Sequence, residues 1–239
     1  MAAEQIGAAS DLIEQWITDA KAGFTDIGEE FKGITTTIGA LRYSGPNADI
    51  VEQGTEENVK ALGAASSQNV SALMAAVAQV ASLVLGAGGS DVEITGFEEM
   101  TEFDIPDNGW TSSPDVMIDL ESFRAARATI ETHFNQIDTI AGNIVSSLQE
   151  IDRSRWVGQA RDAVEKLVEE KIGAGQSNLA LNPSAKIGAE GVETVDYNED
   201  MTTMGLYSAG IANIINTLFA QENTAVETDE QAAAATQAV

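Results

Sequence analysis

Arg155-Trp156-Val157-Gly158 lies between two helical patterns, and a weaker copy, Arg42-Tyr43-Ser44-Gly45, lies 113 residues upstream. The correspondence continues downstream, where Asp49 and Asp162 open the next helical pattern at the same offset. Glycine can adopt the left-handed backbone that reverses a helix, and an aromatic ring two residues earlier can fill the cleft between the helices that the turn joins. The repeat therefore predicts two copies of one structural unit, each with a turn at its centre.

Apolar residues spaced three and four apart predict the long helix before each turn. In the first unit they are Ile13, Ile17, Ala20, Phe24, Ile27, Phe31, Ile34, Ile38 and Leu41, and in the second unit Phe123, Ile130, Phe134, Ile137, Ile144, Leu148 and Ile151. The same spacing after each turn predicts a second helix, marked by Val59, Leu62, Val70, Leu73, Val77, Val80 and Val84 in the first unit.

The second helix of the first unit contains no charged residue from Ala61 to Ser90. Such a helix is usually buried on several sides, so we expect it to lie in a bundle or a subunit interface. A membrane span is the alternative. The nearly continuous apolar run from Ala72 to Ala87 is 16 residues long, whereas a span needs about 20, so burial in protein is favoured.

These patterns divide the chain into four parts: a first helical hairpin at 1–89, an acidic linker at 90–116, a second hairpin at 117–220 with an insertion at 173–199, and an acidic, alanine-rich tail at 221–239. In the linker, residues 92–95 and 102–105 could pair as a β-hairpin. The tail has the composition of a disordered segment. We predict an all-α fold in which the two antiparallel hairpins form a four-helix bundle.

A long helix, a Trp-x-Gly turn and a second long helix resemble the WXG100 family, the small helical-hairpin proteins associated with type VII (ESX) secretion. Trp156 and Gly158 carry the resemblance, with Tyr43 and Gly45 as a degenerate copy. It implies a fused double hairpin that works by presenting helical surfaces to other proteins. The family's Tyr-x-x-x-Asp/Glu secretion signal has no match at Tyr197 or Tyr207.

The residues around the turns allow two interpretations each. Arg42 and Arg155 could cap the carbonyl end of the preceding helix, or bridge to Asp49 and Asp162 across the turn. Trp156 could fill the core of its hairpin, which we favour, or act as an exposed anchor for another chain.

The charge of the chain limits its partners. The net charge is -26 and the pI about 4.1, and such a surface repels phosphate backbones and anionic lipid headgroups. We therefore expect neither nucleic-acid binding nor electrostatic docking to a membrane surface. The first residues lack the basic region of a secretory signal peptide.

Few residues suggest chemistry. There is no cysteine, which excludes disulfides and thiolate metal sites. The one histidine, His133, is predicted to occupy a helix surface or edge. An EF-hand starting at Asp104 would place Gly109 correctly, but Pro106 stands where a side-chain ligand is needed. A solvated acidic loop is thus favoured over a calcium site, and we expect no cofactor and no enzymatic activity.

We expect a structural or interaction protein whose partners are other protein chains, in a homo-oligomer or larger assembly. The WXG100 resemblance implies an exported or cell-surface protein. The alternative is a structural subunit of a large assembly such as a tailed-virus virion, in which the uncharged helix and the tail contact neighbouring copies.

Overall fold

Long helices dominate the computed structural model, which describes residues 10–45, 48–87, 109–113, 117–175, 178–188, 191–192, 194 and 201–237. Within these residues there are five helices, α1 (Ser10–Gly39), α2 (Ala48–Ala87), α3 (Leu120–Gln149), α4 (Gln159–Ile172) and α5 (Thr203–Gln237). Five short strands accompany them: β1 (Arg42–Gly45), β2 (Gly109–Ser112), β3 (Met117–Ile118), β4 (Ile187–Gly188) and β5 (Gly191–Val192). The prediction of a mainly helical protein is confirmed.

Helices α1 and α3 form the most extensive helix contact and run antiparallel. The indole Nε1 of Trp16, near the start of α1, donates to the carbonyl of Ile144, near the end of α3, at 3.2 Å. Further along α1, Glu30 lies 2.6 Å from His133 Nδ1. All nine apolar positions predicted for the first helix are buried, so the spacing of three and four identified the packed face correctly.

Helices α2 and α5 form the second long contact, also antiparallel, and polar side chains line it. Ser66 Oγ donates to the hydroxyl of Tyr207 at 2.8 Å, and Asn58 Nδ2 donates to the carbonyl of Gly210 at 3.2 Å. Burial raises the pKa of Tyr207 far above its ordinary value. Each helix of the first half thus has its main partner in the second half, and α1 and α2 contact each other much less.

A small sheet joins the linker to the connection between α1 and α2. Strand β1 lies at its centre, parallel to β2 and antiparallel to β3, with Tyr43 opposite both Trp110 and Ile118. Trp110, an apolar residue of the predicted linker, is buried. The predicted strands at 92–95 and 102–105 lie outside the described residues.

The expectation of disorder at 221–239 is wrong for residues 221–237, which continue α5 without interruption. Alanine has the highest helix propensity, and extending a helix that is already formed requires no new nucleation. Gln221, Glu222 and Ala225 are buried, so the packed part of α5 extends into the segment predicted as the tail. Helix α4 ends at Ile172, where the sequence predicted an interruption.

An ion-pair cluster fastens α5 to the start of α3. Glu222 accepts from Arg124 at 2.6 Å and from Arg127 at 2.6 Å, and the Arg127 guanidinium lies 4.1 Å from the centre of the Phe219 ring. Burial by itself would raise the pKa of Glu222, but the hydrogen bonds and charges of the two guanidiniums reverse the effect and lower it. No helix of the described ranges is long and apolar enough to cross a membrane.

Candidate functional site

The second turn encloses Trp156, which is only 1% exposed. Gly158 follows with φ 112° and ψ 175°, a conformation essentially restricted to glycine. It precedes the first residue of α4 and directs the chain from the end of α3 into that helix. Of the two interpretations of Trp156, its position fits the core plug rather than the exposed anchor.

Arg161 organises this turn and was missed in the sequence. Its side chain is 1% exposed, and it donates to the carbonyls of Trp156 and Gln149, at 3.1 Å each, and to Glu165 at 2.6 Å. The guanidinium also lies 5.9 Å from the centre of the Trp156 ring. Arg161 therefore satisfies the carbonyl of the last residue of α3, the role predicted for Arg155, and a second carbonyl within the turn. The Arg161–Glu165 spacing of four was the available signal.

Arg155 instead reaches Asp11 at the start of α1, with its Nη2 3.0 and 2.8 Å from the two carboxylate oxygens. The hydrogen bond from Arg155 lowers the pKa of Asp11. Asp162 is paired with Arg153 at 3.4 Å, so the predicted Arg155–Asp162 bridge is wrong. The reason is the antiparallel α1–α3 pair, which places the start of α1 beside this turn.

The first turn segment has a different structure, because residues 42–45 form strand β1. Tyr43 is 2% exposed, and its ring centre lies 6.2 Å from that of Trp110 and 6.4 Å from that of Phe123, edge to face in both pairs. Burial raises the pKa of Tyr43. A Cβ on Gly45 would collide with the Tyr43 ring. Arg42, which precedes this aromatic residue, is exposed.

Asp49, the predicted partner of Arg42, is exposed in the first turn of α2. An acidic side chain there interacts favourably with the positive end of the helix dipole.

The uncharged stretch of α2 is exposed along one stripe. Its exposed residues recur every three or four positions and form a stripe that we call the α2 outer face, consisting of Ala61, Ala64, Gln68, Ala72, Ala75, Gln79 and Ser82. At 1.5 Å per residue it is about 30 Å long. Beside its end, Leu83 is 68% exposed. Helix α2 contacts α5, α4 and α1 as well as β2 and β5, and one neutral face of it remains exposed on a strongly acidic protein.

The titratable side chains that suggested chemistry have structural surroundings. His133 is partly buried against Glu30, and a Cβ on Gly33 would meet its ring. Among the described residues, no group of three or more His, Cys, Asp or Glu side chains is placed to hold a metal ion. The acidic EF-hand candidate at 104–108 lies outside them.

A pocket of about 490 Å³ lies between α2, α5 and β5, with Glu57, Asn58 and Thr217 among its lining residues. The amide of Asn58 bonds to Gly210 and Asn213, and the hydroxyl of Thr217 donates to the carbonyl of Asn213. The hydrogen bonds of Asn58 join α2 to α5, whereas that of Thr217 lies within α5.

Comparison with known proteins found no match to a family model, to a curated protein or to a solved structure. The candidate functional features are therefore those of the chain itself: two aromatic-x-Gly segments with buried rings, and the exposed, uncharged α2 outer face.

Proposed function

We propose that this chain is a non-enzymatic assembly protein, a fused pair of WXG100-like hairpins that acts by binding other protein chains at the cell surface or after export. The observation that carries the proposal is the α2 outer face. Exposed helix faces normally carry charges that keep them solvated, and in a chain of net charge -26 an uncharged stripe is where another chain can approach with the least repulsion. Its alanines also permit close packing of a second helix.

The pairing of helices supports the fused-hairpin part of the proposal. Each half contributes one helix to the α1–α3 contact and one to the α2–α5 contact, as expected if two hairpins form a single four-helix bundle. The fusion then takes the place of dimerisation between separate hairpins, which leaves the α2 outer face as the surface for further partners.

Self-assembly is tested by the molar mass of the full chain, measured by light scattering at low and at high salt. Salt screens the repulsion between acidic copies, so we expect a chain of 25.1 kDa at low salt and a discrete multimer at high salt. Ala72→Glu should abolish the multimer. Ala128→Glu is the matched control, because Ala128 is an exposed alanine on α3. A chain that stays monomeric throughout, or equal effects of both variants, would contradict the proposal.

A specific feature favours the second candidate, a subunit of a large particle such as a virion. Every side chain of α5 from Val226 to Ala234 is exposed, so α5 extends beyond the body as a rod that reaches about 18 Å from Val226 to Gln237. Such an extension suits contacts between neighbouring copies in a lattice. Copurification of the chain with particles would favour this candidate, and release into the medium through type VII machinery would favour the first.

A further inference from the structure

The α2 outer face carries short and long side chains in an order that matches its own reverse. Four of its seven residues are alanines and one is a serine, and only Gln68 and Gln79 have long side chains. Residues at equal distances from the midpoint between Ser71 and Ala72 form three pairs: Ala61 with Ser82, Ala64 with Gln79, and Gln68 with Ala75. Each pair contains at least one short side chain, so the face is complementary to a second, reversed copy of itself.

Two such faces in antiparallel contact place each glutamine opposite an alanine. Gln68 lies opposite the partner's Ala75, and Gln79 lies opposite the partner's Ala64. Alternation of long and short side chains lets two surfaces interdigitate, and the short ones permit the interaxial distance of about 8–10 Å at which helices pack. A parallel pair would instead stack each glutamine on its own copy, long side chain against long side chain. The order of the side chains therefore favours the antiparallel pair.

The distribution of charge along α2 favours the same orientation. The helix is uncharged from Ala61 to its last residue, Ala87. Its first part carries four acidic residues: Asp49, Glu52, Glu56 and Glu57. A parallel pair would bring the two acidic parts side by side. In the antiparallel pair Glu57 and its copy are about 40 Å apart along the helices, which is several Debye lengths at physiological salt, so their repulsion is weak.

The two ends of the neutral stretch also complement each other. Lys60, which precedes this stretch, has a side chain that is 60% exposed and lies 3.9 Å from Glu56. Lys60 and Leu83 are equally far from the midpoint, so the antiparallel pair brings Lys60 level with the last turn of the partner's α2. That turn contains no basic residue, and a cation there interacts favourably with the negative end of the helix dipole. Leu83, which is 68% exposed in the single chain, comes to lie beside the partner's Ala61.

We propose that the α2 outer face binds the same face of a second copy of this chain, antiparallel, about a twofold axis that passes between Ser71 and Ala72. The inference rests on the proposed function, and it adds the identity of the partner, its orientation and the register of the contact. A twofold contact closes with two copies. Because a contact of one helix from each copy is at the small end of specific interfaces, the dimer dissociates readily and depends on salt.

Disulfide trapping measures the register, and the chain suits it because it contains no cysteine. Ala72→Cys places a thiol beside the axis, about 1.5 Å from its copy along the helices. The two Cα atoms are then within the distance of about 4.4–6.8 Å that a disulfide needs. After oxidation with copper phenanthroline at high salt, we expect at least ~10-fold more covalent dimer on a non-reducing gel than from Ala128→Cys. Ala128 is the matched control, an exposed alanine on α3.

A mixture of two variants distinguishes the antiparallel pair from the parallel one. Gln68→Cys and Ala75→Cys should each give little covalent dimer alone, because the two copies of either thiol are about 10 Å apart along the helices. Mixed in equal amounts, they should give at least ~10-fold more covalent dimer, because residue 68 of one copy lies opposite residue 75 of the other. Circular dichroism melts identify any variant that fails to fold, and the mixture tests the register independently of Ala72→Cys.

Cross-linking of Gln68→Cys and of Ala75→Cys each with itself, without a gain on mixing, would indicate a parallel pair and overturn the inference. A multimer in light scattering that lacks the cross-links at 68, 72 and 75 would also overturn it, while the assembly proposal would stand. A chain that stays monomeric at high salt would contradict both, and the molar mass shows this without any cysteine variant.

Discussion

The two aromatic-x-Gly segments have the same sequence pattern and different backbones. Tyr43 is in the middle strand of a sheet, and Gly45 has no positive φ. Trp156 lies in a turn, and Gly158 takes φ 112°. Gly45 is required because the ring of Tyr43 covers it, whereas Gly158 is required by its own backbone.

The neighbours of the two rings explain this difference. Tyr43 packs against Trp110 and Phe123, which come from the linker and the start of α3. Trp156 packs under Arg161, five residues away. The first segment therefore depends on distant parts of the chain that pair with it, whereas Trp156 in the second contacts Arg161 of the helix that directly follows, α4. A repeated motif thus predicts where the chain reverses and which ring is buried, while the partners determine the backbone.

Trp156→Ala should have the largest effect and lower the free energy of unfolding by about 3–5 kcal/mol, the usual loss for a buried Trp. Trp156→Phe is the matched variant. Because the indole N–H has no acceptor within the described structure, Phe loses packing without leaving a partner unsatisfied, and it should cost less than half as much. Urea denaturation measures both. A loss below ~1 kcal/mol for Trp156→Ala would mean that the ring does not support the turn.

Arg161→Met should cost about 3 kcal/mol, because it deprives two carbonyls and Glu165 of a buried donor. Arg153→Met is the control: Arg153 also bonds to Glu165, at 2.6 Å, but its side chain is 62% exposed. An exposed pair contributes at most about 1 kcal/mol. Equal losses in the two variants, measured by the same denaturation, would contradict the role assigned to Arg161.

The helices and their buried faces could be predicted from the sequence, because spacing of three and four is a local property that packing did not override. The apolar positions of α1 from Ile13 to Leu41 are an example. The role of Arg161 could not be predicted in this way, since it depends on carbonyls supplied by Gln149 and Trp156 in the folded turn. Composition was misleading for residues 221–237, because the preceding turns of α5 are packed and propagate the helix.

Pairing of distant segments was also beyond local patterns. Strand β1 exists because residues 109–112 and 117–118 bond to both of its sides, and four residues give no periodic signal of their own. The same holds for the Arg155–Asp11 contact, which joins residues 144 positions apart. Opposite charges are abundant in the sequence, and only the antiparallel α1–α3 pair selects these two.

Alanine substitutions of Gly45 and Gly158 test why each of the two aromatic-x-Gly segments requires glycine. Gly158→Ala should cost about 1–3 kcal/mol through backbone strain, and Gly45→Ala a similar amount through its collision with the Tyr43 ring. A double-mutant cycle separates the causes. The cost of Gly45→Ala should largely disappear in a Tyr43→Leu background, whereas the cost of Gly158→Ala should persist in a Trp156→Leu background. Thermal melts of the six variants measure these costs. If Trp156→Leu removed the cost of Gly158→Ala, the Trp156 ring and not the backbone would be what requires glycine at position 158.

Removing the ion pair between Arg155 in the second turn and Asp11 in α1 should change the free energy of unfolding least. Arg155 and Asp11 are 49% and 65% exposed, so water and salt screen their attraction. The hydrogen bond from Arg155 lowers the pKa of Asp11 from its ordinary value of 3.8. The stabilisation by this ion pair is therefore complete at pH values above the Asp11 pKa of the unfolded chain, and it is lost as the pH falls through the Asp11 pKa of the folded chain. The difference in stability between wild type and Arg155→Gln should therefore be constant near neutral pH, shrink on acidification and shrink with added salt. Denaturation curves at a series of pH values measure this difference, and one that grew towards low pH would show that Arg155 stabilises the fold through a group other than Asp11.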